Sequence, residues 1–344
     1  MSEGGYRLAV RDIIVIGCSV GGVEALQKVV GGLPAGFPGS LFVVLHIAPE
    51  TYSVLPNILS RAGKLPARHA VDGELIRQGS IYVAPPDHHL VLEDGRMRLT
   101  RGPKENRHRP AIDPLFRSAA RWYGPRVIGV VLTGALDDGT AGLMCIKNNG
   151  GLAIVQDPEE AFCSSMPRSA VESVKVDHVA CLAQIPELLE QAVLQPVSMG
   201  NGAGRNSDLA KEVQYAELEM AAIEDENRPG TPSQFACPEC GGVLWEIHET
   251  DMLRFRCRVG HAYTAKNLDV EQTQAVENAL WAALRALEEG ASLAKRMAKS
   301  AGDRQNPRLA KRFAERAQTK MEQAGWLRKL LVEGHEVALE EKTG

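Results

Sequence analysis

From residue 12 to about residue 193 the chain alternates short apolar runs with segments of helical spacing. Residues 13–16, 41–45, 127–132 and 152–155 are runs of Val, Ile and Leu with few polar interruptions. Such runs are strands buried on both faces. Between them, residues 23–30, 55–61, 114–122 and 141–148 repeat their apolar positions at the helical period. This alternation predicts an α/β class fold: a doubly wound, mostly parallel sheet with helices on both faces. Residues 81–84 and 90–99, the latter broken by Asp94-Gly95, read as an appended antiparallel hairpin.

The pattern then changes. Residues 195–233 are rich in Gly, Asn, Ser, Pro and acidic side chains without a sustained apolar period, as in a linker, with a short helix expected at 215–223. Residues 235–263 form a small cysteine-bearing stretch. Two long helical stripes follow: Val276, Leu280, Ala283, Leu284 and Leu287, then Leu309, Phe313, Ala317, Met321, Ala324, Leu327 and Leu331. Asn306-Pro307 between them predicts a helical hairpin. The expected domains are therefore 1–193, a linker at 194–233, a metal-type module at 234–267 and a helical hairpin at 268–344.

Composition adds only boundaries. A hydrophobic content of 44% and a net charge of −4 are ordinary for a globular protein and give no global reason to expect nucleic acid or membrane as partner. No uncharged apolar run is long enough to cross a bilayer and no basic-then-apolar leader opens the chain, so cytoplasmic residence is expected. The seven cysteines are an odd number with three in one cluster. That suits a metal site in a reducing compartment better than a disulfide framework.

Three islands follow predicted strands: Gly17-Cys18-Ser19-Val20-Gly21, Leu45-His46-Ile47-Ala48-Pro49, and Leu132-Thr133-Gly134-Ala135-Leu136-Asp137-Asp138-Gly139. Carboxyl ends of parallel strands are where open α/β sheets bind ligands. Gly17-Cys18-Ser19-Val20-Gly21 matches the Gly-x-Ser-x-Gly pattern, which lifts a serine hydroxyl to the sheet edge; a phosphate-binding or merely connecting turn has the same glycines. Cys18 is a rival nucleophile. His46 ends an apolar strand, either as a general base or as a core histidine satisfied by a carbonyl. One of Asp137 and Asp138 would orient that ring, or cap the helix that follows. His69, His88, His89, His108 and His178 stand in polar stretches and are weaker candidates.

Residues 12–193 resemble the catalytic domain of the bacterial chemotaxis protein-glutamate methylesterases of the CheB type. The resemblance rests on Ile16-Gly17-Cys18-Ser19-Val20-Gly21-Gly22, His46, Tyr82-Val83-Ala84-Pro85 with Asp87-His88-His89-Leu90, and Arg107-His108-Arg109-Pro110 with Asp113-Pro114-Leu115-Phe116-Arg117-Ser118. It continues in Leu132-Thr133-Gly134 with Asp138-Gly139 and in Ser165-Met166-Pro167-Arg168. It implies Ser19 as nucleophile, His46 as general base and acid, and Asp138 as its orienter. The implied reaction hydrolyses glutamate γ-methyl esters, and deamidates glutamine, on cytoplasmic helices of methyl-accepting chemoreceptors, with no cofactor in catalysis.

The chain departs from the pattern at Val20, where the family usually has Thr, at Ala135-Leu136 for Met-Gly, and at Ala111 for Ser. The family's usual receiver domain is not found ahead of the esterase, so control through the C-terminal module or constitutive activity is expected. Arg107 and Arg109 are candidates for contact with an acidic helix surface, or belong to a solvated loop. A diverged, silent scaffold that docks a signalling partner through its C-terminal module is the alternative reading.

Cys237-Pro238-Glu239-Cys240 and Cys257-Arg258-Val259-Gly260-His261 supply three thiolates and an imidazole across a sixteen-residue interval. That set fits a closed, tetrahedral structural zinc site. Arg254, Arg256 and Arg258 alternate through the module without the stacking aromatics of a nucleic-acid surface. Cys145, Cys163 and Cys181 are read as packing residues. The C-terminal stripes predict packing within the chain or self-association.

Overall fold

The computed structural model describes residues 8–198, 230–247 and 252–340. The expected linker and its helix at 215–223 fall largely outside the described residues. Fifteen strands, eight α-helices and one short 3-10 helix are described; two compact units divide the chain at Leu268 and Asp269.

The first unit is built on a seven-stranded sheet. Its strands are β2 (Ile13–Cys18), β3 (Ser40–Leu45), β4 (Ala67–His69), β5 (Ile81–Val83), β8 (Val127–Val131), β9 (Leu152–Gln156) and β10 (His178–Ala180). The order is β10-β9-β8-β2-β3-β5-β4, and every pairing is parallel. β2, β3, β8 and β9 are buried along their whole length, which is why their sequences carry no polar alternation.

Residues on alternate faces of each strand feed two separate cores. Ile14, Ile16 and Val43 pack with α1 (Gly22–Gly32), α2 (Leu55–Ala62) and α6 (Ile185–Val193). Ile13, Val15 and Val44 pack with α3 (Ile112–Tyr123), α4 (Thr140–Asn148) and α5 (Ser165–Ser173). The expected doubly wound fold is present. Because β2 runs on to β3 on one side and receives β8 on the other, the chain's direction switches at β2, where such sheets open a crevice at their carboxyl rim.

One expected element is placed differently. Residues 81–83 join the main sheet, parallel to β3 and β4, rather than a hairpin. Ile81, Tyr82 and Val83 are all buried, and a strand covered on both faces belongs inside a parallel sheet. The hairpin is made by β6 (His89–Glu93) and β7 (Arg96–Thr100) alone, and Tyr123 of α3 fixes its turn by donating to Glu93 O and accepting from Gly95 N. Strands β1 (Leu8–Val10) and β11 (Pro196–Ser198) pair antiparallel, so the segment assigned to the linker begins in a strand.

A second, four-stranded antiparallel sheet lies in the same unit: β12 (Thr231–Ala236), β13 (Val243–Ile247), β14 (Arg254–Cys257) and β15 (Ala262–Thr264). Helix α7 (Ala265–Asp303), which enters the second unit at Asp269, and α8 (Pro307–Glu340) form the expected helical pair. Leu284, Ala324 and Leu331 are buried in its seam, whereas Val276, Leu309 and Met321 of the expected stripes face outward. Ala317 of the second stripe is buried, and Ala291, Ala294 and Ala301, outside the stripes, are buried as well. The alanines supply part of the inward face that the larger side chains were expected to fill.

Close packing of α3 against the rim depends on two glycines. A β-carbon on Gly17 would meet Ile112 Cγ2 at 2.4 Å, and one on Gly139 would meet the same atom at 2.8 Å. Gly17→Ala should therefore lower stability by about 1–3 kcal/mol, the usual cost of overpacking. Urea denaturation checks this: the midpoint falls while the m-value stays unchanged.

Candidate active site and metal centre

Strand ends bring the three candidates together. Cys18 and Leu45 are register partners on β2 and β3, so Ser19 and His46 are the next residues on adjacent strands. His46 N donates to Cys18 O (3.2 Å), and Ser19 N donates to Thr133 O (2.9 Å) beyond the end of β8. Thr133 ties the serine turn down: its hydroxyl donates to Val20 O (2.8 Å) and accepts from Cys163 N (2.8 Å). Gly134 lies so close that a β-carbon there would meet Ser19 Cβ at 2.9 Å and Met166 Sδ at 2.1 Å.

Of the two adjacent aspartates, Asp138 faces the histidine. His46 Nε2 lies 2.7 Å from Asp138 Oδ2, with both side chains nearly buried. His46 Nδ1 is buried without a hydrogen-bond partner among the described residues. The Ser19 hydroxyl is not joined to it by a hydrogen bond among the described contacts. Asp137 points elsewhere, accepting from Thr264 Oγ1 (2.8 Å) and Asn267 Nδ2 (2.6 Å).

Asp138 collects further donors. Ile112 N at the start of α3 donates to Oδ2 (2.7 Å), and Asn106 Nδ2 (2.8 Å) and Gly139 N (3.0 Å) donate to Oδ1. Burial alone would raise this carboxyl. The hydrogen bond and charge of His46, then the Ile112 and Asn106 amides, override burial and hold it well below the ordinary carboxylate range. Next to it, burial and then the Asp138 charge push Asp113 up to about 7. The pair therefore prefers one negative charge to two.

Of two further rim residues, His108 was only a weaker candidate in the sequence and Asn106 went unrecognised. The His108 ring stacks on the His46 ring with centroids 3.6 Å apart. Burial, then the nearby His46 charge, pushes His108 down to about 3, so it remains a neutral partner. Asn106 spans Asp138 and Asp113, donating to both. Its one sequence signal was its position beside the Arg-His-Arg-Pro motif.

The other candidates resolve. Cys18 is fully buried, and burial pushes its thiol far up, so it is no rival to Ser19. His89 bonds Pro103 O and accepts from Ala111 N, and burial lowers its pKa. Arg109 donates to Asp87 and to Gly102 O. At the departure Ala135-Leu136, Leu136 takes φ 61, a left-handed conformation that glycine adopts without the Cβ penalty. Val20 is half exposed and supplies a carbonyl to Thr133. No described helix is long and apolar enough to cross a membrane.

A second centre lies in the antiparallel sheet. One atom from each of Cys237, Cys240, Cys257 and His261 falls within 4.8 Å of the others. Cys237 Sγ and Cys257 Sγ lie 3.7 and 3.5 Å from His261 Nδ1, and Cys240 Sγ lies 3.6 Å from Cys257 Sγ. Tetrahedral zinc, with bonds of about 2.3 Å to sulfur and 2.0 Å to nitrogen, spaces its ligands about 3.5–3.8 Å apart. The residues fit that group. Arg254 and Arg256, two of the alternating arginines, are buried rather than displayed as a basic surface.

A doubly wound sheet with serine, histidine and aspartate at three neighbouring strand ends has the make-up of a serine-type hydrolase. Similarity to known proteins sharpens that class. Residues 14–189 match the family described as CheB methylesterase, and the chain belongs to that family. A Leptospira interrogans protein, provisionally named protein-glutamate methylesterase/protein-glutamine glutaminase, is 42% identical over 178 residues, covering 52% of this chain and 92% of that protein. Protein-glutamate methylesterase/protein-glutamine glutaminase 2 of Anaeromyxobacter dehalogenans is 42% identical over 185 residues, 54% of each chain. The crystal structure of the Thermotoga maritima CheB methylesterase catalytic domain superposes with a TM-score of 0.51 at 36% identity, covering 52% of this chain and 97% of that one.

His108→Phe keeps a neutral ring on His46. Since His108 is already uncharged well above pH 3, the pH profile of kcat/KM for this variant should keep the shape of the wild type's. A pH–rate profile changed in shape would assign the titration to His108 instead.

Proposed function

We propose that this chain is a protein-glutamate methylesterase that hydrolyses glutamate γ-methyl esters on cytoplasmic helices of methyl-accepting chemoreceptors, and deamidates glutamine by the same chemistry. The contact that carries this reading is His46 Nε2 on Asp138 Oδ2 at 2.7 Å, with Nδ1 left for a proton from the serine on the adjoining strand.

In this mechanism Ser19 Oγ attacks the ester carbonyl while His46 Nδ1 accepts its proton. Asp138 fixes the ring and stabilises its charged form. The developing oxyanion lies at the amides around Val20 and the start of α1, which has no side-chain cap. Collapse of the tetrahedral intermediate breaks the C–O bond, and His46 returns the proton to the leaving methoxide, releasing methanol. Water, deprotonated by His46, then attacks the acyl-enzyme and frees the glutamate carboxylate. For glutamine the leaving group is ammonia. The serine-to-histidine hydrogen bond closes when substrate binds, as is common where apo geometry is loose.

The cysteine–histidine module would hold one structural zinc through Cys237, Cys240, Cys257 and His261, with no open position for catalysis. The domain limits follow the same reading, with the esterase at 1–193, the metal module at 234–267 and the helical pair beyond it. Cytoplasmic residence follows from the receptor faces on which such an enzyme works.

Ser19→Ala should lower methanol release from methylated receptor by at least ~10³-fold, and Asp138→Asn by about 10⁴-fold through the wrong histidine tautomer. Unaltered turnover in Ser19→Ala would refute Ser19 as the nucleophile, whereas wild-type inactivity against several methylated receptors, with partner capture by residues 233–344, would favour the silent-scaffold alternative. Elemental analysis of purified protein should return one zinc per chain, and Cys240→Ser should abolish it. A metal-free, fully folded wild type would refute the zinc assignment.

A further inference from the structure

The loop that completes the triad is built against the cysteine–histidine module. Glu105 and His108 exchange backbone hydrogen bonds (Glu105 N to His108 O 3.2 Å, His108 N to Glu105 O 2.9 Å), closing a tight turn. At its centre Asn106 (φ 47) and Arg107 (φ 73) are both left-handed. Two such residues in succession cost of order 1–3 kcal/mol each unless surrounding contacts hold them.

Those contacts come from β15. Asn106 N donates to Ala262 O (2.8 Å), Ala262 N donates to Lys104 O (3.4 Å), and Thr264 N donates to Asn106 Oδ1 (3.0 Å). The last bond also settles which end of the Asn106 amide is oxygen, and hence that the end facing Asp138 is the donor. From this turn the chain delivers two groups to the triad: Asn106 Nδ2 on Asp138 and the His108 ring on His46. A second tie runs through Asp137, whose carboxylate is held by Thr264 and Asn267. A third is Glu105, fully buried between Arg117 of α3 and Arg256 of β14.

We propose that the cysteine–histidine module is a positioning element of the esterase site and that Asn106 is the residue through which it acts. The proposal rests on the triad reading above. Closing four ligands around a metal is what folds so small a sheet, so metal occupancy sets the shape of β15. β15 sets the left-handed turn at Asn106, and the turn sets the Asp138 carboxylate. Releasing it removes one donor from a buried anion and frees the ring stacked on His46. An appendage docked for other reasons would meet the esterase through peripheral contacts. Here three buried ties land on Asn106, on Glu105 two residues from the Arg107-His108 pair, and on the residue next to Asp138.

The test uses the full chain and three readouts: Ser19 labelling by a fluorophosphonate, followed by intact mass and peptide mapping; kcat and KM on methylated receptor; and thermal melting. Asn106→Ala should lower kcat and the labelling rate together by ~10–100-fold, the usual effect of removing a supporting hydrogen bond, with KM within about twofold and the melt still cooperative. Asn106→Asp keeps the acceptor for Thr264 N but turns a carboxylate toward Asp138, so it should be no better than Asn106→Ala. Thr264→Val removes the hydroxyl on Asp137 but keeps the backbone N–H on Asn106, so it should slow labelling less than Asn106→Ala. Stripping the metal with a chelator should slow labelling by the same order, and zinc alone should restore it. Wild-type labelling rates in Asn106→Ala, or in metal-free folded protein, would overturn the proposal. Should stripping unfold the chain, the point variants decide. Labelling that persists in Ser19→Ala would mark failure of the triad reading and not of this one.

Discussion

The Asp138 carboxylate is the constraint around which the rim is arranged. An ionised group almost fully out of water must find its hydrogen bonds inside the protein. Asp138 finds them from four directions: the His46 ring, the first amide of α3, the amide that follows it toward α4, and the Asn106 side chain. Each donor belongs to a different part of the chain, so satisfying the charge places all of them. The glycines at 17 and 139 matter because they let Ile112, and with it the start of α3, come near enough to donate. The start of a helix is also where a negative charge is favoured electrostatically.

Adjacent positions on the loop after β8 divide the work. Asp138 turns to the histidine and Asp137 to Thr264 and Asn267. The loop is thus gripped from both sides, by the esterase sheet and by the second sheet. Thr133, two residues past β8, holds the serine turn and the segment before α5 with one hydroxyl. Within a stretch of six residues, 133–138, the chain locates Ser19, His46 and the neighbouring module.

Much of this was legible in the sequence where burial on both faces wrote the signal. The runs at 13–16, 41–45, 127–132 and 152–155 became four central strands because nothing polar could be tolerated there. Ser19 and His46 stood out as polar residues stranded at the ends of such runs, whereas Asp138 was told from Asp137 only by the family resemblance. The three-residue strand at 81–83 carried too short a pattern to separate a hairpin from a sheet member. The 101–111 loop was illegible for a different reason. Its conformation is imposed by partners far along the chain, Glu105 meeting Arg256 at a separation of 151 residues. No local period records such a contact. His108 and Asn106 therefore looked like polar loop residues. The four metal-type ligands were plain from spacing, yet spacing carries nothing about which surface their sheet would meet.

Glu105 shows why that meeting is specific. Its carboxylate is buried with Arg117 and Arg256, both almost without exposure. Burial opposes its charge, and the two guanidiniums outweigh burial to keep its pKa low. Against water such an arrangement gains little, because desolvating three charges offsets most of their attraction. Removing one partner is another matter, since an uncompensated buried charge costs about 3–5 kcal/mol. Any docking of the antiparallel sheet that withdrew Arg256 would take from the buried Glu105 carboxylate the two hydrogen bonds that Arg256 donates to it. The pair of sheets is thereby limited to the register in which Arg256 reaches Glu105. That register also puts Ala262 beside Asn106 and Thr264 within reach of Asp137. A charge cluster that adds little net stability thus selects the arrangement in which the Asp138 carboxylate receives its full set of donors.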